Sequence, residues 1–284
     1  MLTSSSKLLR RAQKEGYAVG AFNTYNLEIT RAILRAAEAR RAPVIVQLGS
    51  GALKYAGTEA LGALVLAEAH QAKIPVAVQL DHSTEIDEIT ACIKLGFSAV
   101  MIDGSALSLD GNIALTRRAV RIARAKRVSV EAELGSIVGE EDCAGAHAAH
   151  AAMTDPAQAA EFVHATRVDA LAVAIGNVHG FYRGKPKLDM ARLRKIRKHV
   201  SVPLVLHGAS GLSADAIQRS ISLGVCKFNV NTEIRVAFIE ALAETLPKAR
   251  RTYDLPALFA PVIEGMQRVV EEKIAMFGSE GKAV

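Results

Sequence analysis

The chain has 284 residues, of which 50% are hydrophobic, with a formal net charge of +6, 5% aromatic residues and no Trp. That length suits a single α/β barrel, and so few aromatics argue against a base-stacking platform for single-stranded nucleic acid. Cys92, Cys143 and Cys226 lie far apart and form no C-x-x-C pair, so neither a disulfide framework nor a structural zinc knuckle is indicated, and no apolar run approaches the ~20 residues that span a bilayer.

The opening MLTSSSKLLRRAQ has no apolar h-region and is not read as a secretory signal, so a cytoplasmic protein is expected. From Tyr17 onward, short apolar runs alternate with longer segments of helical period. The expected strands are AVGAF (18–22), PVIVQL (43–48), PVAVQL (75–80), AVMI (99–102), SVEAEL (129–134), ALAVAI (170–175), PLVLHG (203–208) and CKFNV (226–230). Amphipathic helices are expected between them, among them residues 27–41, 59–72 and 86–96. Continuous apolar runs are the mark of strands buried on both faces, as in a parallel sheet. Eight such units predict an α/β TIM (β/α)8 barrel as one domain over residues 1–284, with an open doubly wound sheet as the structural alternative. The densest basic run, RRAVRIARAKR (117–127), has helical spacing and reads as a solvated face. Neither nucleic acid nor a membrane is therefore expected as a partner, whereas a positive field suits phosphorylated small molecules. Gly135 to Pro156 is a long insertion rich in Gly, Ala and acids, which reads as a functional lid. After the eighth unit, YDLPALFAPVIEGMQRVVEEKIAMFG reads as an appended C-terminal helix hinged at Pro261, packing on the barrel or on a partner subunit.

Active sites of such barrels lie at the C-terminal ends of the strands. Six of the expected strands end in or lead to polar residues: Asp81-His82, Asp103, Glu131 with Glu133, GNVHG with His179, His207, and Asn229 with Asn231 and Thr232. Singly, each has a plain explanation: a hydrogen-bonded histidine, a turn-capping aspartate, an ion-pair partner for Glu131 or Glu133 inside the barrel. Together they bring three imidazoles to one face, the donor pattern of a catalytic zinc that keeps a position open. The glycine-rich VHGFYRG (178–184) and HGASG (207–211) offer backbone N–H groups to an anion. NVNTE (229–233) opens the last barrel helix, a frequent phosphate site.

These segments resemble the class II, zinc-dependent ketose-bisphosphate aldolases, the fructose- and tagatose-bisphosphate aldolase family, from about Leu8 to Gly281. The likeness rests on AFN (21–23), LDH (80–82), VMIDGS (100–105), SVEAELG (129–135), GEED (139–142), AIGNVHG (174–180), PLVLHGASG (203–211) and NVNTE (229–233), in that order. It implies that His82, His179 and His207 hold a catalytic Zn²⁺, and that Asp103 and Glu133 belong to a second or alternative divalent-metal position. It implies that Asp81 handles the C4 hydroxyl proton and that Glu141, on the long loop, moves the proton on the dihydroxyacetone phosphate half. Asn23, Gly180, Gly208, Ala209, Ser210, Asn229, Val230, Asn231 and Thr232 would contact substrate, with Asn229 supporting the enediolate. A monovalent cation, Na⁺ or K⁺, near the phosphate loops is also implied, as is a homodimer or homotetramer.

The expected activity is reversible cleavage of fructose or tagatose 1,6-bisphosphate to dihydroxyacetone phosphate and glyceraldehyde 3-phosphate. The alternatives are an aldolase for another phosphorylated ketose or deoxy-sugar acid, and a non-catalytic barrel subunit supporting a partner enzyme. The candidate for a Schiff-base mechanism is Lys227, which the histidine cluster disfavours. Gly49 stands where relatives generally carry Ser or Thr, DGSALSL (103–109) lacks a His that often follows the Ser, and the tail lacks the Pro-Arg pair of many relatives. The first and last of these bear on the aldehyde half.

Overall fold

The computed structural model describes residues 1–137, 139, 152–180, 182, 184–249 and 253–283, with side chains at 248 and 249 excluded. The strands are β1 (Val19–Asn23), β2 (Val44–Gly49), β3 (Val76–Ser83), β4 (Ala99–Ile102), β5 (Ser129–Leu134), β6 (Ala170–Val173), β7 (Leu204–Leu206) and β8 (Val225–Val230). Each pairs in parallel with the next, and β8 returns to β1, with Val19 opposite Lys227 and Ala21 opposite Asn229. That last pairing decides for the closed barrel over the open sheet. Strand ends fall within two residues of expectation except in β3, which runs three residues past Leu80 to Ser83.

The helices are α1 (Ser5–Glu15), α2 (Leu27–Ala39), α3 (Ser50–Ala56), α4 (Thr58–Gln71), α5 (Ile86–Leu95), α6 (Leu109–Ala125), α7 (Pro156–Thr166), α8 (Met190–His199), α9 (Ala214–Ser222), α10 (Thr232–Ala249) and α11 (Leu255–Met276). Two differ from the sequence reading. The short α3 follows β2 directly, before the expected α4. The appended helix α11 runs unbroken through Pro261 rather than hinging there. A proline inside a helix forfeits one hydrogen bond and crowds the preceding turn, but this helix is held along its length by buried Val262, Ile263, Met266, Val270 and Ile274 against α2 and α10. Among the described residues no helix is long and apolar enough to cross a membrane.

Two apolar shells hold the fold. The larger lies between the strands and the outer helices. The smaller lies inside the barrel, where Val19, Ala21, Ile45, Ala77, Met101, Ala172 and Val205 meet Leu8, Leu9 and Ala12 of α1. The interior alanines leave room for α1, which touches β1, β3, β5 and β8 and so stops the N-terminal end of the barrel. Leu9 is fully buried in that stopper. Leu9→Ala should cost roughly 2–5 kcal/mol in denaturant unfolding, the range for leucine-sized core cavities. A loss under about 0.5 kcal/mol would show that α1 does not help hold the barrel shut.

Because side chains alternate along a strand, the inward positions continue toward the C-terminal ends, and there they turn polar. They carry Asn23, Gln47, Gln79, Asp81, Glu131, Glu133, His207 and Asn229, all of them buried. β3 breaks the alternation. His82 has φ +48°, in the left-handed region, and the pairing with β4 shifts register between Leu80 and Ser83. A bulge of this kind bends a strand and re-aims its side chains. Here it lets two consecutive residues, Asp81 and His82, both reach partners at the barrel mouth.

Candidate active site

The three expected histidines meet. The His82 ring centroid lies 5.0 Å from that of His179 and 4.4 Å from that of His207, and the His179 and His207 centroids are 5.9 Å apart. All three residues are buried, and one nitrogen from each falls within 4.8 Å of the others. The outward-facing nitrogens are backed by acids. His82 Nδ1 lies 3.0 Å from Asp103 Oδ2, and His207 Nε2 lies 2.9 Å from Glu131 Oε1. A backed nitrogen that donates to its carboxylate leaves the opposite ring nitrogen as the one that can bind a metal. The opposite nitrogens, His82 Nε2 and His207 Nδ1, stand 2.6 Å apart. A second group, His82, Asp103 and Glu133, also converges within 4.8 Å.

Asp81 sits beside this cluster, 1% exposed. Its Oδ2 accepts from Asn23 Nδ2 at 2.9 Å, and its Oδ1 from Gln47 Nε2 at 2.9 Å and Asn229 Nδ2 at 3.2 Å. All three donors are neutral amides, so they fix the carboxylate's orientation without an ion pair. Asn229 Nδ2 also lies 3.1 Å from His207 Nδ1, which ties Asp81 to the imidazole cluster.

The glycine loops pack on one another above the β6 and β7 ends. Gly208 has φ +64°, and a Cβ there would overlap the Val178 carbonyl oxygen, so only glycine allows the two loops to come this close. Tyr182 donates to the Gly208 carbonyl at 2.8 Å, and Ala209 N–H donates to the Asn229 carbonyl at 3.0 Å. Burial pushes the Tyr182 phenol up to about 12, which keeps it a donor at neutral pH. Ser210 Oγ accepts from the Glu233 N–H at 3.5 Å, and Tyr25 donates to Asn231 Oδ1 at 3.1 Å. Thr232 opens α10, while the Val230 side chain belongs to the outer apolar core, leaving its backbone for any site role.

An imidazole trio at the open end of a closed parallel barrel, one from β3 and two from the segments that follow β6 and β7, with an aspartate locked beside it, narrows the candidates, and comparison with known proteins decides among them. Residues 3–282 match the family described as fructose-bisphosphate aldolase class-II. The chain belongs to the class-II fructose-bisphosphate aldolase family. It is 41% identical over 306 residues to a fructose-bisphosphate aldolase of Thermus caldophilus, covering all of both chains. The YdjI aldolase of Escherichia coli K12 superposes with a TM-score of 0.88 at 36% identity over all of both chains. A fructose-bisphosphate aldolase of Campylobacter jejuni gives 0.81 at 25% identity, over 99% of this chain and 97% of that one.

Class II aldolases depend on zinc as a family, and the donor set of this aldolase fits the ion. Two ring nitrogens facing each other at 2.6 Å need a proton or a cation between them. Three converging imidazoles match the donor pattern of a catalytic zinc. The backing acids are ionised. Burial pushes the Asp103 carboxyl up, but His82 and the Ser105 N–H outweigh it and hold the group well below the usual carboxylate range. Burial acts the same way on Glu131, and Lys227 and His207 overcome it.

Lys227 is no Schiff-base nucleophile here: its Nζ lies 2.8 Å from each Glu131 oxygen, fully buried beneath the site. Glu131 is thus the interior ion-pair partner that the strand pattern allowed. Glu141 and most of the long insertion lie outside the described residues. Sequence reasoning missed Gln47, which holds Asp81, and Asn177, whose amide donates to the His207 carbonyl at 3.1 Å. A signal for Gln47 existed. PVIVQL and PVAVQL place a glutamine at matching positions of neighbouring strands, where Gln47 pairs with Gln79, and an amide at an inward position of an apolar strand needs a polar partner.

Proposed function

We propose that this aldolase cleaves a ketose 1,6-bisphosphate, fructose or tagatose, to dihydroxyacetone phosphate and glyceraldehyde 3-phosphate, with catalytic zinc on His82, His179 and His207. The observation that carries the reading is the position of Asp81, locked by three amides and joined through Asn229 to the imidazole trio. Zinc held there would polarise the ketone oxygen and stabilise the negative charge that carbon–carbon cleavage leaves on it, by several kcal/mol. Asp81 takes the proton of the C4 hydroxyl as the C3–C4 bond breaks and C4 becomes the aldehyde. Asn229 keeps Asp81 and His207 in register. Gly180, the Gly208–Ser210 turn and the start of α10 offer the dihydroxyacetone phosphate half backbone N–H groups and a helix N-terminus. Glu141 returns the proton to that half. A second divalent ion on Asp103 and Glu133, and Na⁺ or K⁺ beside the phosphate loops, complete the expected ion set.

A second reading, an aldolase for a phosphorylated ketose lacking the second phosphate, is favoured by the β2 end. Gly49 offers no hydroxyl there, and Ser50 Oγ donates at 2.6 Å to Glu88 Oε2, so the nearest hydroxyl is bound to a carboxylate. A panel of kcat/KM values on fructose and tagatose 1,6-bisphosphates and on the matching 1-phosphates separates the two. The first reading predicts that a bisphosphate ranks highest. A 1-phosphate turned over as well or better would replace it with the second.

A further inference from the structure

Beneath the imidazole trio lies a buried polar layer that the proposed chemistry does not use. Its centre is Glu131, whose neighbours are all donors. Lys227 Nζ lies 2.8 Å from each carboxylate oxygen, Gln79 Nε2 donates to Oε2 at 3.1 Å, and His207 Nε2 lies 2.9 Å from Oε1. Lys227 and His207 are fully buried and Glu131 is 3% exposed. A lysine and a glutamate sealed in a barrel are costly to desolvate, and replacing such a pair by neutral residues often costs a protein nothing in stability. Their place directly under His207 suggests a task other than holding the fold.

We propose that Lys227 and Glu131 are positioning residues for His207: Lys227 clamps both oxygens of Glu131, and Glu131 in turn holds the His207 ring by Nε2 so that Nδ1 faces the metal position. The geometry allows little else. With both oxygens engaged by one ammonium and Oε2 also by Gln79, Glu131 cannot rotate away from His207. With Nε2 donating downward, Nδ1 is the nitrogen left to face His82 Nε2 and Asn229. The two backing carboxylates also differ in their partners. Ser105 N–H is a neutral donor to Asp103, which backs His82, whereas Glu131 is matched by the ammonium of Lys227. The Lys227–Glu131 unit therefore orients His207 while adding no net charge under the ion, so the ion's pull on a substrate oxygen is not weakened from below. Carboxylate partners of metal-bound histidines typically contribute 10–100-fold in metal affinity.

The inference rests on the zinc reading above, and the experiment keeps the two apart. Zinc-loaded wild-type protein carrying ¹⁵N-histidine should show His207 with its proton on Nε2 and zinc on Nδ1. A zinc-loaded His207 with its proton on Nδ1 overturns the proposal, and this measurement needs no variant to fold. Zinc affinity by chelator competition should fall about 10–100-fold in Lys227→Met and in Lys227→Met/Glu131→Gln, and the visible spectrum of the cobalt-loaded proteins should change. Folded variants with wild-type affinity and spectrum would reduce the pair to a packing feature and overturn the proposal. A wild-type protein that binds no zinc would overturn the zinc reading itself, and this inference with it.

Discussion

Asp81→Ala should lower kcat by about 10²- to 10⁴-fold, the span that a positioned general base contributes, while zinc affinity stays within a few-fold of wild type. In free energy this is about 3 to 5 kcal/mol of barrier. The separation of effects follows from the geometry: Asp81 is held by Asn23, Gln47 and Asn229 and is not one of the three imidazoles that converge. The substitution also leaves three buried amides short of an acceptor, each at a cost of roughly 1–3 kcal/mol, so a melting curve must accompany the kinetics. Asp81→Asn, which keeps the shape and one acceptor oxygen, should recover stability but not rate. A kcat within tenfold of wild type in a folded, zinc-loaded Asp81→Ala protein would remove Asp81 from the proton-transfer role.

Removing the metal should have an effect as large or larger. Dialysis against a strong chelator is expected to abolish cleavage, and adding back zinc should restore it, because among the described residues none of the side chains gathered around the imidazoles offers a comparable sink for charge on the ketone oxygen. The nearest cation beneath the site, Lys227, is held by both oxygens of Glu131. Chelated enzyme that keeps more than a few per cent of its activity would contradict the metal mechanism. A covalent adduct trapped by borohydride under those conditions would point back to a lysine, against the geometry of Lys227. A fully metallated protein inert on every ketose phosphate would favour the non-catalytic subunit.

Much of this was legible in the sequence, for identifiable reasons. The barrel showed because eight strands buried on both faces leave apolar runs that punctuation by Pro and Gly separates cleanly. The histidines showed because a polar residue ending such a run lands at one known end of the barrel. Other features were hidden where local pattern and tertiary context part. α1 was passed over because its apolar stripe of Leu8, Leu9 and Ala12 looks like any surface helix, and nothing local says that it stops a barrel. The hinge expected at Pro261 is a sound reading of proline in isolation, and the packing of α11 on α2 and α10 overrides it. Gln47 was missed because an amide scores as merely polar until its inward position is recognised. The role of Glu131 stayed undecided because its partners, His207 and Lys227, are 76 and 96 residues away in the chain.

The left-handed backbone at His82 has a consequence for how this segment can vary. β3 is paired along its length with β2, from Val44–Val76 to Gly49–Asp81, and its inward residues come round every second position. An insertion or deletion of one residue between Val76 and Leu80 would therefore exchange inside for outside, setting Val78 and Leu80 against the interior and sending Gln79 and Asp81 toward the helices. Substitutions on the outward side leave that count untouched. The chemistry of β3 is thus stored in its length as well as in its letters, and a change of length in this strand would remove the proposed proton carrier and displace a proposed metal ligand in a single event.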